Sequence, residues 1–124
     1  MRILYIEDSS SNRLLVKRVL EAEGHDVLEA EDGVAGFEMA LAEHPDLILM
    51  DINLPDVDGY EMTRRMCSHP DLAEVPIVAM TANVMQGDRE KTLAAGCAGY
   101  IPKPIDVDAL PSQVAEFLEG KACG

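Results

Sequence analysis

Short apolar runs alternate with longer stretches in which apolar residues recur every three or four positions. Arg2–Ile6, Val27–Ala30, Leu47–Met50, Ile77–Met80 and Gly99–Ile101 are the short runs, and they predict five strands. The stretches near 11–23, 34–43, 59–68, 85–95 and 108–119 predict five helices. Leu47-Ile48-Leu49-Met50 and Ile77-Val78-Ala79-Met80 are apolar without alternation, as strands buried on both faces should be. Such strands, each followed by a helix, imply an α/β class: a parallel sheet covered on both sides.

Local punctuation agrees. Gly24 and Gly96 follow the first and fourth predicted helices, where a left-handed C-cap is expected. Asp32-Gly33 marks the turn into the second helix, and Pro45 and Pro76 stand where the chain enters strands. In the last helix Val107, Leu110, Val114, Phe117 and Leu118 share one face. Pro111 is tolerated only in a first turn, which puts the expected N-cap at Asp108. The 85–95 stretch has the weakest apolar stripe and contains Gly87, so it is expected to be the least stable element. Met50, Met80, Met62 and Met66 all fall at core positions. No repeat or linker divides the chain, so one domain is expected over 1–120, with 121–124 as a frayed tail. Met1 standing directly before a strand is expected of a natural N-terminus.

Composition narrows the function. At 124 residues and 48% apolar content the chain can form a core without staples. No apolar run approaches the roughly 20 residues that span a bilayer, so no membrane insertion is expected. Glu7 and Asp8 come too early for a secretory signal, and a cytoplasmic protein is expected. Cys67, Cys97 and Cys123 form no paired or metal-binding spacing, which implies free thiols. The net charge of −13, from 23 acidic against 10 basic residues, repels phosphate backbones and argues against direct nucleic-acid binding. Most of this acidity serves solubility, and only acidic groups gathered in space call for a chemical reading.

The strand ends supply such a group. In an open parallel sheet, ligands lie beyond the carboxyl ends of the strands. Glu7-Asp8 ends the first strand, Asp51 follows the third, Thr81 the fourth, and Lys103 comes just after the fifth. Clustered carboxylates disfavour joint ionisation, and a hard cation such as Mg²⁺ relieves them. His25, His44 and His69 fall elsewhere, so a histidine-based metallohydrolase is not indicated. A carboxylate can act as a nucleophile toward phosphorus, while a cation, an ammonium and a hydroxyl neutralise the phosphoryl oxygens.

These residues resemble the receiver domains of two-component response regulators. The likeness rests on Leu4-Tyr5-Ile6-Glu7-Asp8, Leu47 through Pro55, Asp58-Gly59, Ile77 through Ala82 and Lys103-Pro104, and it extends over residues 2–119. It implies a flavodoxin-like, doubly wound five-stranded parallel sheet in order 2-1-3-4-5 with five helices. It implies that Asp51 accepts a phosphoryl group from a phosphohistidine on a sensor histidine kinase or a histidine phosphotransfer protein. Glu7, Asp8, Asp51 and the backbone carbonyl of Asn53 would bind Mg²⁺. Lys103 would pair with the phosphoryl group, and Lys103-Pro104 would be a cis peptide. Thr81 and Tyr100 resemble the family's switch pair, biasing a surface of the fourth helix, fifth strand and fifth helix toward a downstream protein or a second copy of the chain. Asn53 and Asn83 would flank the phosphoryl group, and the small Ala82 would leave it open to donor and water.

Two other functions draw on the same residue types. An aspartyl-phosphate phosphatase of the haloacid dehalogenase type needs a second aspartate two residues after the nucleophile, where this chain has Asn53. A flavodoxin-like FMN carrier fits poorly with an acidic rim and no tryptophan. A phosphoacceptor with slow self-dephosphorylation, rather than a turnover enzyme, is therefore the expectation.

Overall fold

The computed structural model describes residues 1–52, 54, 56–81, 94–103 and 105–119. Its elements are β1 (Arg2–Ile6), α1 (Ser10–Ala22), β2 (Asp26–Ala30), α2 (Gly33–Glu43), β3 (Leu47–Asp51), α3 (Gly59–Ser68), β4 (Ile77–Thr81), β5 (Gly99–Pro102) and α4 (Leu110–Glu119). The strands form one parallel sheet in the order β2-β1-β3-β4-β5. All five strands stand where the apolar runs put them, with β2 to β5 each longer by one residue at an end. The α4 helix is the fifth of the predicted helices. The stretch expected as the fourth lies almost wholly outside the described residues, as do Asn83, Gly87 and the 121–124 tail.

The non-alternating runs are apolar because both faces of the sheet are covered. Successive strand side chains point to opposite faces. Leu4, Ile6, Ile48, Met50, Ile77 and Ala79 pack on one side with Met62 and Met66 of α3. Ile3, Tyr5, Leu47, Leu49, Val78 and Met80 pack on the other with Val16 and Leu20 of α1 and Leu110 and Val114 of α4. Each aliphatic side chain buried this way stabilises the fold by about 1.5–3 kcal/mol before chain entropy is counted. The four core methionines belong to these layers.

Caps set the helix ends. Ser9, Asp32 and Asp58 are the N-caps of α1, α2 and α3, accepting hydrogen bonds from the backbone N–H of Asn12, Ala35 and Tyr60. Gly24 and Gly96 adopt positive φ, 90° and 103°, as their C-terminal positions required. The entry to α4 differs from expectation. Asp106, not Asp108, is the capping carboxylate, accepting from the backbone N–H of Asp108 at 3.0 Å and Ala109 at 3.3 Å. A turn over 107–109 precedes the helix, so Val107 is exposed rather than on its apolar face. Pro111 nonetheless sits in the first turn, where its missing N–H costs nothing. The cysteines also correct the sequence reading. Cys97 is a free thiol that burial pushes up to about 11. Cys67, half-buried on α3, is disulfide-bonded.

The chain leaves β1 for β2 on one side and then crosses to β3 on the other. The carboxyl ends of β1 and β3 therefore flank the topological switch point, where such sheets open a crevice.

Candidate functional site

Glu7 and Asp8 follow β1, and Asp51 is the last residue of β3, so the crevice is lined by three carboxylates. One oxygen from each lies within 4.8 Å of one oxygen from each of the others. Glu7 and Asp51 are almost fully buried, 1% and 2% exposed, whereas Asp8 faces solvent. Two buried acids beside each other demand positive charge or hydrogen bonds. Lys103, just past β5, supplies both, with Nζ at 3.0 Å from Glu7 Oε1 and 3.1 Å from Asp51 Oδ1. Its backbone N–H donates to the Thr81 carbonyl at 2.8 Å, which fixes the root of the side chain against the end of β4.

Glu7 draws further donors. Its Oε1 accepts from the Tyr5 hydroxyl at 3.1 Å and from Asn12 Nδ2 at 3.1 Å. Arg13 NH1 donates to the Glu7 carbonyl at 2.7 Å, and Arg13 and Lys17 both pair with Glu29 at 3.6 Å, which ties α1 to β1 and β2. Burial pushes the Glu7 carboxyl up, but hydrogen bonds with Asp51, Lys103 and Asn12 outweigh burial and hold it down at about 2. Burial disfavours the Lys103 ammonium, yet its bonds to Glu7 and Asp51 prevail and raise it above its ordinary value. Burial first, and the Glu7 charge second, raise the Tyr5 phenol, so it remains a donor.

Thr81, 1% exposed, ends β4 beside this cluster, in register with Pro102. Tyr100 pairs with Ala79 and packs, half-buried, against the core on the α2–α3 side. Because Ala79 and Thr81 share a strand face, Thr81 and Tyr100 lie on the same side of the sheet. The structure thus brings together Glu7, Asp8, Asp51 and Lys103, with Thr81 on the same rim. Asn53, Ala82 and Pro104 lie outside the described residues. The three histidines stand at helix ends or before a strand, away from the rim: His44 and His69 are the C-caps of α2 and α3, and His25 precedes β2.

Three contributors were not anticipated from sequence. Tyr5 lies inside the first apolar run, two residues before Glu7 on the same strand face, and that spacing is the one signal linking them. Asn12 and Arg13 reach the site from the first turn of α1. Asp56 is a separate addition. It accepts from the backbone N–H of Gly33 at 2.9 Å and Val34 at 3.0 Å, clasping the loop after β3 to the start of α2. Burial opposes its ionisation, but these backbone bonds win and hold its carboxyl below the usual range.

The donor set is all oxygen, anionic and open on the Asp8 side. This suits a hard divalent cation that keeps part of its water shell, as Mg²⁺ does. An ammonium already seated on two of the carboxylates adds a group able to meet phosphoryl oxygens.

Comparison with known proteins points the same way. The family model described as the response regulator receiver domain matches residues 3–115. The polar-differentiation response regulator DivK of Brucella ovis is 36% identical over 116 residues, covering 94% of each chain. Chemotaxis response regulator CheY4 of Vibrio cholerae superposes with a TM-score of 0.89 at 25% identity, covering 94% of this chain and 97% of that one. The receiver domain of the sensor histidine kinase PA1611 from Pseudomonas aeruginosa, solved with a magnesium ion coordinated in its active-site cleft, gives a TM-score of 0.87 at 35% identity, with 96% and 98% covered.

Proposed function

The chain belongs to the response regulator receiver family, and on that premise we propose that Asp51 is its phosphoryl acceptor. The protein is a two-component phosphorelay receiver. Receivers are phosphoacceptors that meet histidine kinases or phosphotransfer proteins upstream and effectors downstream. The observation that supports Asp51 is the gathering of three carboxylates within 4.8 Å, two of them buried and both bridged by Lys103.

In the proposed step an Asp51 carboxylate oxygen attacks the phosphorus of a phosphohistidine. The P–O bond forms as the P–N bond breaks, and the imidazole leaves with the electron pair and then takes up a proton. Asp51 is left as an acyl phosphate. Lys103 swings from Asp51 to an equatorial oxygen, and the Thr81 hydroxyl donates to another, so charge that develops on the phosphoryl group is met by fixed donors. Glu7, Asp8, Asp51 and the Asn53 carbonyl would hold Mg²⁺, which would supply positive charge to the phosphoryl group. Asn53 cannot titrate, so the chain offers water no acid–base partner there, and the acyl phosphate is removed slowly. On this reading the protein is a switch rather than a turnover enzyme. The Thr81 hydroxyl moves toward the phosphoryl group and Tyr100 turns inward behind it, biasing the surface of β5, α4 and the preceding 85–95 stretch. A downstream protein, or a second copy of this chain, reads that surface in the cytoplasm.

The test is labelling by a radioactive small acyl phosphate with Mg²⁺. The parent chain is expected to take up label and Asp51→Asn to take up none. Equal labelling of the variant would move the acceptor elsewhere.

A further inference from the structure

We infer that Tyr5 and Asn12 are positioning residues that commit one oxygen of Glu7, making Glu7 a one-oxygen ligand and biasing the site toward Mg²⁺ over Ca²⁺. The inference rests on the reading of the acidic rim as a Mg²⁺ site.

Tyr5 is fully buried between aliphatic neighbours on the α1–α4 side of the sheet, among Val16, Leu20, Leu47 and Leu49. A phenylalanine would fill that volume without bringing a polar atom into the core. The hydroxyl is tolerated because it donates to Glu7 Oε1 at 3.1 Å. Asn12 reaches the same oxygen at 3.1 Å from a helix turn that is itself fixed. Ser9 caps that turn, and the neighbouring Arg13 is bound to the Glu7 carbonyl. With Lys103 Nζ at 3.0 Å, three donors from three elements meet on Oε1. A carboxylate oxygen has about two lone-pair directions, so Oε1 has none left for a cation. The other oxygen must serve.

That restriction separates the two common hard cations. Ca²⁺ takes six to eight oxygens and often accepts both oxygens of a carboxylate. Mg²⁺ demands a near-octahedral shell of single oxygens and retains water. A Glu7 held by one oxygen and unable to rotate favours the second pattern. Removing its donors frees Oε1, loosens the carboxylate and allows two-oxygen binding.

Calorimetric titration of the whole chain with Mg²⁺ and, separately, with Ca²⁺ tests this. Tyr5→Phe removes only a hydroxyl, and Asn12→Ala leaves a strong helix former, so both are expected to fold, which urea unfolding checks. The doubly substituted chain, in which only Lys103 still meets Oε1, is expected to lose Mg²⁺ affinity by about 10-fold and Ca²⁺ affinity by less than about 3-fold, so that discrimination narrows, with each single variant lying between it and the parent. Unchanged Mg²⁺ affinity in the doubly substituted chain would overturn the inference. So would equal losses for the two cations, the result of a merely loosened site. A parent chain that binds no Mg²⁺ would instead overturn the cation assignment on which the inference stands.

Discussion

Replacing Asp51 by Asn is expected to make the protein more stable while removing its acceptor. With both carboxyls ionised, the Asp51–Glu7 repulsion is at least about 3.5 kcal/mol at an effective dielectric of ~20, from oxygens within 4.8 Å, and a proton shared between them relieves it. The Asp51–Asp8 term is nearer 1 kcal/mol at a water-like dielectric of ~80, because Asp8 is exposed. Against these stands the Lys103 attraction at 3.1 Å, about 5 kcal/mol at a dielectric of ~20. The Coulomb terms therefore nearly cancel. What remains is the cost of stripping water from a carboxylate that is 2% exposed, several kcal/mol, which a neutral amide largely avoids. Asn can still hydrogen-bond Glu7, and Lys103 keeps Glu7 as its partner. We expect a net gain of about 1–3 kcal/mol without Mg²⁺, read as a rise of about 1 M in the urea midpoint. The chain has no tryptophan, so far-UV circular dichroism is the appropriate signal. Mg²⁺ at about a hundred times its dissociation constant should add about 2.7 kcal/mol to the parent and little to the variant, removing most or all of the variant's advantage. An Asn variant that unfolds at lower urea than the parent without Mg²⁺ would refute the reasoning.

The acid limb of the stability curve should carry the signature of Glu7. Its folded value of about 2 lies below the ordinary 4.5, so its contribution is complete above pH about 4.5 and is lost as pH falls toward 2. Urea midpoints against pH should show that loss in the parent, and less of it in Glu7→Gln. Gly59→Ala should destabilise by about 2–4 kcal/mol and depress phosphorylation, because its Cβ would stand 2.5 Å from Ile52 Cα and 2.9 Å from the Asp51 and Ile52 carbonyl oxygens. Those are backbone atoms next to the acceptor and cannot turn aside. Asp56→Ala should cost about 1 kcal/mol, measured by thermal unfolding, by releasing the two N–H groups at the start of α2.

Doubly buried strands are easy to read because burial on both faces leaves uninterrupted apolar runs, and the first polar residue after each run marks the rim. Glu7, Asp51 and Thr81 emerged in that way, and the rim position of Lys103 followed from the fifth run. The turn into α2 at Asp32-Gly33 was equally legible. What failed to show was chemistry made between elements. The Tyr5 hydroxyl is hidden in an apolar run, and nothing in the spacing aims Asn12 at Glu7. Asp56 joins residues more than twenty positions apart, so no local pattern records it. The capping carboxylate of α4 slipped from Asp108 to Asp106 because a turn, not the proline, decides where the helix begins. The Cys67 disulfide likewise joins no paired-cysteine spacing that the sequence displays.

The central claim is that one carboxylate of the cluster, Asp51, carries the phosphoryl group. Borohydride reduction of the phosphorylated chain converts an aspartyl phosphate into homoserine, which peptide mass spectrometry locates. The account predicts homoserine at position 51. Homoserine at position 8, or a reduced glutamyl phosphate at Glu7, with Asp51 intact would contradict it.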